Sequence, residues 1–274
     1  MGLRLNKLLL LIVAVLGLFF VLDSLWQIKN HSQEKPLIGI LLNDGGEGGY
    51  SIYPWYVMRQ NYSEVIAKNG GIPVFIGHDS EIVDDYVKLL DGIVFTGGDF
   101  AVPIEAYTSG IPEDYKPKPH SRDGVEYPLI KLSYNNNIPV LGVCGGMQQM
   151  NVVFGGTLYE NLKGSLNTPI QHRNENLCNT VHKVDIKLDS KLYQIVKAEQ
   201  LAVNSCHHAG LRKVANNLAI SSTSSDGVIE SIEAKNKHFF IGVQWHPEFE
   251  LSDEEKKLWQ AFVEAAKERH AKKA

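Results

Sequence analysis

Three short stretches hold residue types that could carry out covalent chemistry. In Gly142-Val143-Cys144-Gly145-Gly146 a cysteine stands between small residues, directly after an apolar run and before a segment of helical pattern. A nucleophile on a tight strand-to-helix turn needs small neighbours, because bulkier ones would clash across the turn. The N-terminus of the following helix favours a thiolate there, and the backbone N–H of Gly145 would face the oxygen of an attacked carbonyl. A thiol of this kind needs a base, and the base an orienting acid. Near the C-terminus, Gly242-Val243-Gln244-Trp245-His246-Pro247-Glu248 supplies both, with a proline fixing the turn between imidazole and carboxylate. A working oxyanion hole needs a second donor, and Gly97-Gly98, after another apolar run, stands where a parallel sheet would offer one.

Those groups can meet only if the segments before them are neighbouring strands. Apolar runs at 37–42, 72–76, 91–95 and 139–143 are short and bounded by turn residues, as buried parallel strands are. Helical patterns lie between them, over 55–68, 81–90 and 124–134, and from Cys144 to 154. This β-α-β-α-β order predicts an α/β domain: an open, mostly parallel sheet flanked by helices. Later segments, 181–188, 218–222 and 227–234, alternate or sit between turn signals and predict an antiparallel extension. The proline-bearing stretch 100–122 reads as a long surface loop, and an amphipathic run over 253–270 leads into a basic tail.

The 274 residues carry 27 Lys and Arg against 31 Asp and Glu, with no basic cluster beyond that tail, which points away from a nucleic-acid partner. Three cysteines without a Cys-x-x-Cys pair make neither a disulfide framework nor a zinc site, although Cys178 and Cys206 could form a single bridge. Arg4 and Lys7 precede an apolar run over 8–22, followed by Trp26. That pattern predicts a membrane anchor or signal segment over 1–35, uncleaved in preference to cleaved, with the folded domain over 36–274. The charge ahead of the run places the domain on the non-cytoplasmic side, the alternative being the cytoplasmic face of the membrane.

The two blocks around Cys144 and His246 resemble the signatures of class I glutamine amidotransferase domains, whose core is flavodoxin-like. Further segments narrow the likeness: Asn61-Tyr62, Gly70-Gly71-Ile72-Pro73-Val74, Thr96-Gly97-Gly98, Arg122-Asp123, Gly155-Gly156-Thr157, Val203-Asn204-Ser205 with His207-His208, and Asp226-Gly227-Val228-Ile229-Glu230. Together these are similar to the γ-glutamyl-γ-aminobutyrate hydrolase branch, from about residue 36 to 249. The resemblance implies a hydrolase that cleaves a γ-glutamyl amide through a γ-glutamyl thioester. Cys144 is then the nucleophile, His246 the base and acid, Glu248 the orienting carboxylate, and Gly98 and Gly145 the oxyanion donors. It also implies substrate contacts from Gln148, Ser205, His207 and His208, with Gln171-His172 near the pocket. A small γ-glutamyl compound is the expected partner, and neither cofactor nor metal is required. His207-His208 has no third ligand close in sequence, so a metal site is not expected there. Many members of the branch carry arginine where this chain has Gly145. Two other readings remain open: a glutaminase subunit delivering ammonia to a synthetase, or an inactive ligand-binding domain.

Overall fold

The computed structural model of the chain describes residues 13, 15–23, 35–45, 49–98, 102–111, 116 and 120–273. Its centre is a nine-stranded sheet. In chain order the strands are β1 (Leu37–Leu41), β2 (Ile72–Ile76), β3 (Gly92–Phe95), β4 (Val140–Val143), β5 (His182–Ile186), β6 (Gln200–Val203), β7 (Ala219–Ser224), β8 (Ile229–Glu233) and β9 (Phe240–Val243). Across the sheet they run β2-β1-β3-β4-β9-β8-β7-β5-β6. The five from β2 to β9 are parallel, and β8, β7, β5 and β6 continue the sheet antiparallel. The fold is therefore the mixed, mostly parallel α/β sheet with an antiparallel extension that the apolar runs imply.

Burial on both faces explains the composition of the middle strands. Every residue of β3, β4 and β9 is buried, so these segments read as unbroken apolar runs and not as alternating ones. One face is covered by α1 (Gln60–Lys68) and the C-terminal helix over Asp253–Lys273, whose Trp259 and Phe262 pack with Ile38, Ile40, Val94 and Val143. The other face is covered by α2 (Val83–Leu89), α3 (Arg122–Asn135) and α4 (Gly145–Val153), where Met147 and Met150 join Phe95, Leu129 and Val140.

Several elements differ from the sequence expectation. The helix expected over 55–68 begins only at Gln60, because Tyr56–Val57 pairs antiparallel with Asn43–Asp44 and the Gly45 N–H donates to the Trp55 carbonyl at 2.7 Å. The loop over 100–122 contains a short 3-10 turn at Ile104–Tyr107. The N-terminal expectation is corrected more fully. Among the described residues no helix is long and apolar enough to cross a membrane. The anchored placement, on either face of a membrane, is overturned with it. Residues 8–12 and 14 of that apolar run, and Trp26, lie outside the described residues.

Candidate active site

The strand order turns two distant segments into neighbours. β4 and β9 lie side by side in register, Val143 opposite Val243, so Cys144 and His246 emerge from adjacent carboxyl ends. Cys144 caps α4 with φ 52° and ψ −107°, a left-handed conformation that a side chain tolerates only when its surroundings enforce it. Here the Cys144 N–H donates to the Val243 carbonyl at 2.8 Å, and the Cys144 carbonyl accepts from the Gln148 N–H at 3.2 Å. The turn also explains Gly146: a Cβ there would stand 2.1 Å from the Phe95 carbonyl oxygen, which is backbone and cannot move aside.

Opposite the thiol, the His246 backbone is held by one side chain. The amide of Asn204 accepts from the His246 N–H at 2.8 Å and donates to the His246 carbonyl at 3.0 Å, while also donating to the Leu177 carbonyl at 2.9 Å. The ring's Nδ1 lies 2.8 Å from Glu248 Oε1, both residues being buried. Arg59 approaches the same oxygen at 3.6 Å from the solvent side. The other side of the ring faces Cys144; a Cβ placed on Gly97 would meet His246 Cε1 at 2.9 Å and Cys144 Cβ at 3.0 Å, so the two side chains converge above that glycine. Burial works against a charged imidazole here. The Glu248 carboxylate, followed by Cys144, more than offsets it and pushes the His246 pKa up to about 10.

Gly97 and the peptides on either side of it are held by residues to which the sequence assigned no role. Asn43 Nδ2 donates to the Gly97 carbonyl at 2.9 Å, and the Gly97 N–H donates to the Tyr62 hydroxyl at 3.3 Å. In a trans peptide the Gly98 N–H points opposite to the Gly97 carbonyl, away from Asn43, and Gly98 lines the cleft with Cys144 and Gly145. A Cβ on Gly98 would strike Asn43 Oδ1 at 2.2 Å. Asn43 is itself fixed by buried Arg122, which also donates to the Thr96 carbonyl at 2.6 Å and pairs with Glu126 through two contacts of 2.9 Å.

Of the four expected substrate contacts, Gln148, His207 and His208 line this cleft, a cavity of about 150 Å³. Gln148 Nε2 donates inward to the Ala209 carbonyl at 3.2 Å and to Gln244 at 3.1 Å. Ser205 is not among the lining residues: fully buried, its hydroxyl donates to the His172 carbonyl at 2.6 Å and so fixes the strap over 168–174 behind the cleft. Arg59, Arg173 and Glu175, absent from the sequence expectation, stand at the rim. A second cavity of about 500 Å³ adjoins and shares Arg173, His207 and His208; Gln171 and His172 line it. Cys178 and Cys206 are free, so the conceivable bridge between them is not formed.

The family model described as Peptidase C26 matches residues 36–248. A glutamine amidotransferase-like protein of Rickettsia prowazekii, RP404, is 33% identical over 86% of this chain and 99% of its own length. The γ-glutamyl-γ-aminobutyrate hydrolase PuuD of Escherichia coli K12 is 26% identical over 87% of this chain and 96% of its own. Among solved structures, a GMP synthase subunit from Thermoplasma acidophilum superposes with a TM-score of 0.56 at 16% identity, covering 84% of this chain and 94% of that one, a likeness of fold alone.

Proposed function

The chain belongs to the Peptidase C26 family, of glutamine amidotransferase-like hydrolases, and from that premise we propose that residues 36–274 form a γ-glutamyl amide hydrolase acting through a thioester. Cys144 Sγ attacks the γ-carbonyl carbon, and the resulting oxyanion is met by the N–H groups of Gly98 and Gly145. His246 gives its proton to the departing amine as the C–N bond breaks, leaving a γ-glutamyl thioester on Cys144. A water molecule then gives a proton to His246 as it attacks the thioester, and breaking the C–S bond releases the γ-glutamyl acid with His246 protonated again as at the start. Glu248 holds the ring orientation and stabilises its charged form throughout. The raised pKa of His246 supports this division of labour, since a base that keeps its proton at neutral pH can deliver it to the leaving amine.

The observation that carries the reading is the convergence of Cys144 with the His246–Glu248 pair, 2.8 Å apart, at the tips of adjacent parallel strands. The smaller cleft supports the glutamyl assignment: Arg59 and Arg173 with Glu175 offer cations and an anion suited to an α-amino acid head group. Gln148 and His208 complete its wall, and the adjoining cavity is where the amine half would sit.

The test is a panel of γ-glutamyl amides hydrolysed by the full chain, with Cys144→Ala alongside and acid-quenched samples analysed by mass spectrometry. The expected result is turnover of at least one amide, a γ-glutamyl adduct on Cys144, and a loss of several orders of magnitude on removing the thiol. Undiminished hydrolysis by Cys144→Ala would end this reading.

A further inference from the structure

Behind the larger cavity, on its strap and on β5 and β8, lies a group of buried side chains that the acyl-transfer steps leave unused. His172, His207 and Glu230 are buried, and the ligand-type atoms they offer lie within 4.8 Å of one another. His172 Nδ1 is 3.2 Å from Glu230 Oε1, and His207 Nε2 and His182 Nε2 each stand 3.6 Å from the same oxygen. None of these atoms makes a hydrogen bond. His172 Nδ1, His182 Nε2, His207 Nε2 and both oxygens of Glu230 are buried without a hydrogen-bond partner.

The opposite edge of each ring is committed. His207 Nδ1 lies 2.9 Å from the Ala209 carbonyl and His182 Nδ1 3.3 Å from the Lys183 carbonyl, so each Nδ1 carries a hydrogen and a neutral ring turns the Nε2 lone pair towards Glu230. His172 Nε2 lies 3.0 Å from Asp226 Oδ2, and Asp226 also accepts from the hydroxyls of Thr168 and Ser224. Lone pairs facing a carboxylate repel it unless a positive charge lies between them. A ring nitrogen bonded to a carbonyl or carboxylate, with its partner nitrogen free and inward, is the arrangement by which proteins orient metal-binding histidines. A protonated His172, held between Asp226 and Glu230, could supply part of that charge, but its Nδ1 meets Glu230 at 3.2 Å without hydrogen-bond alignment, and the Nε2 atoms of His207 and His182 stop at 3.6 Å.

We propose that His172 Nδ1, His207 Nε2 and Glu230 form a binding site for a divalent transition-metal ion of the zinc class, with His182 Nε2 beside it as a nearby fourth donor. Imidazole and carboxylate donors in this number suit zinc over calcium or magnesium, which take mostly oxygen. The ion would tie the strap over 168–174 to β8 and to the turn at His207, and so fix a wall shared by the two cavities.

The site is tested by titrating the untagged, metal-depleted full chain with Zn²⁺ against a chromophoric chelator. Cys144→Ala serves as background, so that the thiol cannot hold the ion together with His246. One equivalent should bind. Glu230→Gln should weaken uptake by more than about 100-fold, and Asp226→Asn, which reaches the ion only through His172, by about 10–100-fold. Co²⁺ should give four-coordinate visible bands without thiolate charge transfer. Failure of the Cys144→Ala chain to take up one equivalent would overturn the proposal without need of any variant in the cluster. So would uptake unchanged by Glu230→Gln in protein that keeps its circular dichroism spectrum.

Discussion

Replacing Asn204 with alanine removes the one side chain that brackets the backbone of His246. Three buried hydrogen bonds disappear together, at 2.8, 3.0 and 2.9 Å. They leave the His246 N–H and the Leu177 carbonyl without partners, and the His246 carbonyl with only the 3.4 Å bond from the Phe249 N–H, in a place where Asn204 is fully buried. At about 1–2 kcal/mol for each of the two stranded groups, the expected loss of folding stability is roughly 2–4 kcal/mol, a large share of the 5–15 kcal/mol typical of a domain. The kinetic consequence is separate, because an imidazole shifted by about 1 Å costs on the order of 100-fold in the chemical step. The assay pairs urea unfolding with hydrolysis of a chromogenic γ-glutamyl anilide, measured at a temperature where circular dichroism shows the variant folded. A fall in kcat with little change in KM is expected, since Asn204 does not line the cleft. A stability loss under about 1 kcal/mol, or a kcat within about threefold of the parent, would refute the bracket argument.

Asn43→Ala should free the Gly97-Gly98 peptide from its 2.9 Å anchor and lower kcat by about 10–100-fold through a disordered oxyanion donor; unchanged kcat would assign the second donor elsewhere. Glu255 titrates in a stability-determining way, because burial raises its pKa to about 8, with the Glu248 and Glu250 carboxylates adding to the rise and the N–H groups of Leu251 and Ser252 opposing it. A folded-state pKa above the unfolded value means that the folded protein binds this proton more tightly. Its contribution is complete below the ordinary carboxyl range and is lost as pH climbs towards 8, by on the order of a few kcal/mol. Glu255→Gln keeps an acceptor for the Leu251 N–H and should melt higher than the parent at pH 9 but not at pH 5; parallel melting curves against pH would disprove this account.

The elements and residues that the sequence made legible share one property, a local signal. The buried runs of β3, β4 and β9, the small residues around Cys144 and the proline between His246 and Glu248 can each be read within a few neighbouring positions. Asn43, Arg122 and Asn204 carry no such signal. Their importance arises from contacts with backbone 54, 26 and 42 residues away, which topology creates and no window of sequence contains. Arg122 and Asn204 fell in segments that resemble a family, yet resemblance marked them without saying what they hold. The same limit explains Ser205, whose hydroxyl turns inward to His172, and the third partner of His207, which comes from Glu230 on a different strand. The apolar run over 8–22 shows the opposite failure, where a strong local pattern predicted a spanning helix that is not found among the described residues.

The position of β9 has a bearing on how the chain acquires activity. It is the last strand in sequence, yet it lies between β4 and β8 near the middle of the sheet, and it pairs with a strand about 100 residues earlier. Closing so long a loop is entropically expensive and slow, so thiol and imidazole become neighbours only when the final strand is threaded into its slot. Partly synthesised or C-terminally clipped chains would thus hold an unassisted cysteine, and recovery of turnover during refolding should track the slowest step of assembly.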